Sequence, residues 1–152
     1  MKPLETTVEE VLRKAIQSEV ETRVYYQKLS ERAGSAEVSK RLLQLADGEL
    51  VHRAKMERKY REEIGHIPPE PLPVVIDLAP DLVDLDLSHA LKQALERERD
   101  SESYYRFMAE RVPDTRLGAL FMELAEIEWK HKTDLQAEYD ASAGPDSFLL
   151  DL

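Results

Sequence analysis

The chain has 152 residues, of which 34% are charged, with a formal net charge of −10 and no cysteine. That length suits one domain with a sizeable core, and zero cysteine excludes a disulfide framework, a zinc ribbon, a thiol nucleophile and thiolate-bound iron. The acidic balance argues against nucleic acid as a partner. No run reaches the ~18 apolar residues of a membrane span, and without a signal-peptide core the expected compartment is the cytoplasm.

Glycines and prolines divide the chain into long uninterrupted segments. Thr6 and Thr7 are each followed three residues on by a glutamate (Glu9, Glu10), a capping-box pattern that opens a helix over 8–33, closed by Gly34. Ser35 is the expected cap of a second helix that runs to about Ile64, where Gly65 and the prolines beyond stop it. Ser88 opens a third, ended by Pro113. Asp114 caps a fourth, which is expected to run to about Ala141, before Gly144–Pro145. Residues 145–152 then form a short apolar tail with three readings: packing on a partner subunit, a docking peptide for a larger shell, or a disordered end.

A shift of 79 residues lays the first helix on the third and the second on the fourth without a gap, over 4–60 and 83–139. Identical pairs include Leu12/Leu91, Ala15/Ala94, Glu19/Glu98, Tyr26/Tyr105, Ala46/Ala125, Glu49/Glu128, His52/His131 and Tyr60/Tyr139. Such a match implies a duplicated helical hairpin, its halves related by an approximate two-fold axis. Between the halves, residues 66–87 form a proline-rich linker, where an up-down-up-down bundle needs only ~2–8 residues. A helix of ~28 residues is roughly 42 Å long, and 22 extended residues reach about 70 Å. The linker can therefore return along the whole bundle, and its PPEPLP run reads as a stiff strap in preference to a ligand for a proline-reading domain. The expected fold is all-α: an antiparallel four-helix bundle over 1–144, ferritin-like, with one long crossover between helices 2 and 3.

Heptad spacing gives each helix an apolar seam that turns ionisable at mid-length. The first reads Val8, Leu12, Ala15, Glu19, Thr22, Tyr26, Leu29, Ala33, and the third Leu87, Leu91, Ala94, Glu98, Ser101, Tyr105, Met108, Val112. The second reads Val38, Leu42, Leu45, Glu49, His52, Met56, and the fourth Leu117, Phe121, Leu124, Glu128, His131, Leu135. Four carboxylates and two imidazoles in a dry core cost several kcal/mol per ion unless cations neutralise them. Two divalent ions balance four carboxylates, and Glu and His at i and i+3 share one helix face. This constellation is the di-iron or di-manganese carboxylate motif of ferritin-like bundles. Oxygen and imidazole donors without sulfur suit Fe or Mn, and Zn is also compatible. One such pair means little: with 20 Glu in 152 residues, a histidine has about a 13% chance of a glutamate three positions back, and Glu63-Ile64-Gly65-His66 is such a chance match. Two copies at the repeat distance, both in the seam, each with a matching Glu on a neighbouring helix, mean far more. The bland alternative is a polar layer that fixes register, but the seam holds no Lys or Arg to pair with these carboxylates.

These residues resemble the rubrerythrin and bacterioferritin branches of the ferritin-like superfamily over nearly the whole chain. The likeness rests on Glu19 with Arg23 and Tyr26, Glu49-x-x-His52, Glu98 with Tyr105, and Glu128-x-x-His131. It implies two iron ions per chain, with Glu49 and Glu128 as bridging ligands and Glu19, His52, Glu98 and His131 as terminal ones. Rubrerythrins usually carry a further helix-3 glutamate where this chain has Ser101, with Glu102 one residue on. The rubredoxin-like Cys₄ tail is missing, so electrons are expected from an external donor protein. Leu50 stands where bacterioferritin has its haem-ligating Met, so no haem is expected, and the residues after Gly144 are too few for the fifth helix of a ferritin cage.

Tyr26 and Tyr105 are expected either as core packing with the hydroxyl on a carboxylate or as redox tyrosines beside the catalytic glutamates 19, 49, 98 and 128. Tyr25 and Tyr104 are expected at a flank or dimer face, and Trp129, pointing away from the ligand face, reads as partly buried or as an interface anchor. The function expected from the resemblance is a di-iron peroxidase or oxidase that reduces hydrogen peroxide or dioxygen, in a homodimer. The alternatives are a ferroxidase that handles iron and a non-catalytic bundle stapled by metal.

Overall fold

A computed structural model describes residues 5–150, with side chains described over 5–142. Four helices account for its regular structure: α1 (Val8–Ser30), α2 (Ala36–Ile64), α3 (Leu87–Arg111) and α4 (Thr115–Leu150). They pack in pairs, α1 on α2 and α3 on α4. Residues 5–84 form one compact unit around the first hairpin, and the chain from Leu85 onward forms another around the second.

In the first hairpin the expected caps hold. Thr7 accepts a hydrogen bond from the Glu10 backbone N–H, and Ser35 does the same for Val38. Gly65 ends α2 at φ 91°, a left-handed position that a side chain would strain. α1 stops at Ser30, short of the expected 33, because the N–H groups of Glu31, Arg32 and Ala33 reach back only three residues, to Lys28, Leu29 and Ser30. The last turn is thereby tightened out of the α form. Leu12, Leu29 and Leu42 are enclosed in the core, each contributing about 2 kcal/mol of burial. Tyr60, equally enclosed, donates its hydroxyl to Glu9 Oε1 at 2.9 Å, joining the end of α2 to the start of α1.

The linker lies along α1 as a strap. Gln17 donates from Nε2 to the Leu72 carbonyl at 3.1 Å and accepts from the Leu72 N–H at 2.9 Å. Further on, Arg32 Nη1 donates to the carbonyl of Leu82 at 2.7 Å. The strap thus runs from the open end of the hairpin, where α2 finishes, to its α1–α2 turn, as a full-length crossover requires. Prolines suit this path because an extended strap offers no helical partner for the N–H groups they lack.

In the second hairpin Asp86, not Ser88, caps α3: its Oδ1 accepts from the His89 N–H at 2.8 Å. A carboxylate two positions earlier outcompetes the serine, which becomes part of the first turn. Val112 leaves the helix with ψ 132°, as the residue before a proline must. Asp114 Oδ1 then accepts from the N–H groups of Arg116 and Leu117 to start α4. α4 continues through Gly144–Pro145 to Leu150, past its expected end near Ala141. A proline removes one i→i−4 bond and does not forbid the turns on either side. Residues 151 and 152 lie outside the described residues.

Candidate metal site

Glu19 projects from the middle of α1, where Leu12, Ala15, Ile16, Thr22 and Tyr26 are all buried. Glu49 and His52 meet it from α2, whose buried face comprises Val38, Leu42, Ala46, Glu49, Met56 and Tyr60. One donor atom from each of these three residues lies within 4.8 Å of the others. His52 turns Nδ1 inward, 3.6 Å from Glu19 Oε2 and 3.3 Å from Glu49 Oε2. Both carboxylates are buried while the imidazole keeps a partly exposed edge.

The second hairpin repeats the arrangement. Glu98, Glu128 and His131 also lie with donor atoms within 4.8 Å, His131 Nδ1 standing 3.8 Å from Glu98 Oε2 and 3.6 Å from Glu128 Oε2. Each hairpin therefore assembles one Glu–Glu–His trio, and all six residues singled out by spacing take part. Glu63 and His66, the chance match, are both exposed, and the imidazole Nδ1 lies against the Ile67 carbonyl.

Burial and neighbouring charge set the protonation of the trios. Burial pushes the Glu19 carboxyl up to about 8, with the neighbouring Glu49 adding to the effect and His52 opposing it. At His131 burial disfavours the charged ring, but the carboxylates of Glu128 and Glu98 overcome it and push the imidazole up to about 10. Two buried carboxylates side by side thus recruit a proton, onto the carboxyl in one hairpin and onto the imidazole in the other. A divalent ion placed among the same atoms removes that need. Two oxygens and one imidazole nitrogen per trio, without sulfur, fit iron or manganese.

Glu102 is a buried residue that heptad spacing missed, having placed Ser101 on the seam. It does not reach the trio. Arg106 Nε binds it at 2.8 Å and Lys132 Nζ at 2.5 Å. Desolvation would raise its pKa, but these two cations lower it below the ordinary value. The signal was available: Glu102 lies four residues after Glu98 and four before Arg106, on one helical face.

Tyr26 and Tyr105 are buried two turns from Glu19 and Glu98, each packed beside its neighbouring tyrosine, with ring centroids 5.8 Å apart for Tyr25–Tyr26 and 5.5 Å for Tyr104–Tyr105. Trp129 is 46% exposed, in keeping with a side chain turned from the ligand face. No helix among the described residues is long and apolar enough to cross a membrane.

Comparison with known proteins gives three findings. A family model, Rubrerythrin, matches residues 10–139. A hypothetical protein from Pyrococcus furiosus is similar in structure, with 26% identity over 88% of each chain and a TM-score of 0.54. An uncharacterized conserved protein from Magnetospirillum magnetotacticum MS-1 is similar at 20% identity, over 88% of this chain and 94% of that one, with a TM-score of 0.63. No curated protein gives a significant match. These likenesses bear out the expected fold class, an all-α ferritin-like helical bundle.

Proposed function

The chain belongs to the rubrerythrin family, and on that premise we propose that it is a non-haem di-iron oxidoreductase, reducing hydrogen peroxide or dioxygen with two iron ions per chain. One observation carries the reading: the Glu–Glu–His trio occurs twice at the repeat distance, each copy set in the helical core with its donor atoms within 4.8 Å. Glu19, Glu49 and His52 would hold one ion; Glu98, Glu128 and His131 would hold the other. When bound, ferrous iron supplies the electrons, two of which with two protons convert hydrogen peroxide into two waters.

The chain's own part is binding and exclusion. The buried carboxylates offer anionic oxygen where water competes poorly, so each ion–carboxylate attraction is stronger than at the surface. The partly exposed edge of each imidazole marks the side of the trio that solvent can reach. Tyr26 and Tyr105 are the buried phenols next along the ligand-bearing faces of α1 and α3, two turns from Glu19 and Glu98. Re-reduction is assigned to an electron donor outside these 152 residues, which include no cysteine for an electron-transfer centre. Tyr104, Phe107, Met122 and Trp129, all exposed on the second hairpin, support a homodimer.

Stopped-flow mixing of the ferrous-loaded protein with each oxidant tests the reading. Oxidation by hydrogen peroxide at least tenfold faster than by dioxygen supports a peroxidase. Faster reaction with dioxygen supports an oxidase, and reaction with neither contradicts the proposal. A cage-sized particle holding many irons per chain would instead indicate storage.

A further inference from the structure

The two hairpins match in their trios and differ beside them. The 79-residue shift sets Arg23 of α1 on Glu102 of α3, and Arg53 of α2 on Lys132 of α4. In the second hairpin these positions meet: the Lys132 ammonium and the Glu102 carboxylate are 2.5 Å apart. Helical side chains lean toward their helix N-terminus, so on antiparallel helices residues placed one turn beyond the trio on each helix lean toward each other across it. The first hairpin puts two guanidinium groups where the second has an ion pair.

Those guanidiniums are left wanting. The Nε atoms of Arg23 and Arg53 are both buried and neither makes a hydrogen bond. Arg23 forms no ion pair with any described residue. Among the described residues Arg53 has only Glu57 Oε1, at 3.5 Å from Nε and without hydrogen-bond alignment. Glu19 Oε2, on the trio residue one turn before Arg23, lies 3.6 Å from His52 Nδ1. A buried N–H without an acceptor is destabilising, and more so on a charged group. By the repeat, these two half-buried cations hold the positions at which Glu102 and Lys132 meet in the second hairpin.

We propose that Arg23 and Arg53 form a binding site for a small oxyanion, of the phosphate, sulfate or carboxylate class, on the flank of the Glu19–Glu49–His52 trio. An oxyanion has enough lone pairs to satisfy both Nε–H groups at once, and the planar guanidinium fork matches its geometry. The anion takes the place that the Glu102 carboxylate occupies in the second hairpin. The chain's net charge of −10 repels anions in general, so saturable binding points to a local site. The proposal stands whether or not the trios hold iron.

Inorganic phosphate is the probe, titrated into the full chain freed of metal, so that no bound ion can ligate it, at constant ionic strength. Calorimetry should show one phosphate per chain. Arg23→Gln and Arg53→Gln should each weaken binding at least tenfold, and Arg99→Gln, at an exposed position, should leave it unchanged. The arginine Nε–H resonances of the unaltered protein give an independent readout should a variant fail to fold: phosphate must shift those of Arg23 and Arg53. Sulfate and acetate competing for the site identify a general oxyanion site; phosphate alone binding identifies a phosphate-specific one. Absence of saturable binding of all three anions, equal affinity in the folded variants, or unmoved Nε–H resonances would overturn the proposal.

Discussion

Metal-free protein should lose stability as pH rises from 6 to 9, a direction opposite to that of a protein held by ordinary carboxylate salt bridges. The Glu19 carboxyl titrates near 8 in the fold against an ordinary 4.5, so the folded chain keeps a proton that the unfolded chain has released. The stabilisation this gives falls progressively between pH 4.5 and 8. His131 titrates near 10 against an ordinary 6.5; its contribution is complete below 6.5 and lost as pH rises through 10. At 1.36 kcal/mol per pH unit, each group loses about 3 kcal/mol between pH 6 and 9. The side chains are 9% and 18% exposed, and solvent relaxation around them reduces the total to about 3 kcal/mol, good to a factor of two. The other shifted groups act outside this window, Asp86 and Glu102 at acid pH and Tyr60 and Arg106 in strong alkali. With a urea m-value of about 2 kcal/mol/M, the denaturation midpoint should fall by roughly 1–2 M. Glu19→Gln, which mimics the protonated acid, should remove about half of the fall. Zinc, a redox-silent substitute, must displace these protons, so its affinity should rise with pH and flatten the profile. A metal-free midpoint that stays constant or rises from pH 6 to 9 would refute the reasoning.

Glu102→Gln should lower stability by about 1 kcal/mol, since Lys132 and Arg106 remain partly solvated, and should leave iron stoichiometry by metal analysis unchanged; loss of one iron would make Glu102 a ligand. Gln17→Ala removes both bonds to Leu72 and should cost about 1 kcal/mol, with faster amide exchange confined to the strap. Leu12→Ala and Leu91→Ala, at fully enclosed equivalent positions, should each cost about 2–5 kcal/mol in urea unfolding. A cost below 1 kcal/mol at either would place that side chain outside the core.

Much of this was legible in the residues because the relevant physics is local or periodic. Thr7, Ser35 and Asp114 announce their helices, since a cap needs only a side-chain oxygen within three residues of a free N–H. The six donors stand out because apolar heptads make a mid-length carboxylate conspicuous, and the repeat shows it twice. Glu102 was harder to place. A strict seam admits one residue per turn, whereas the buried face of α3 is wide enough to enclose Leu91 with Leu95 and Glu98 with Glu102. Its fate depended on cations on α3 and α4, information that no spacing within one helix contains. Gly144–Pro145 misled for another reason: punctuation residues raise the cost of a helix without setting the gain from continuing it.

We propose that these six side chains hold a pair of iron ions. Mössbauer spectroscopy of protein loaded with ⁵⁷Fe and oxidised, with iron counted per chain, tests it most directly. The account predicts two irons per chain and a spin-coupled diferric spectrum, with the coupled signal lost in Glu49→Gln and in Glu128→Gln. Uncoupled ferric ions, or a folded protein that takes up no iron, would contradict it.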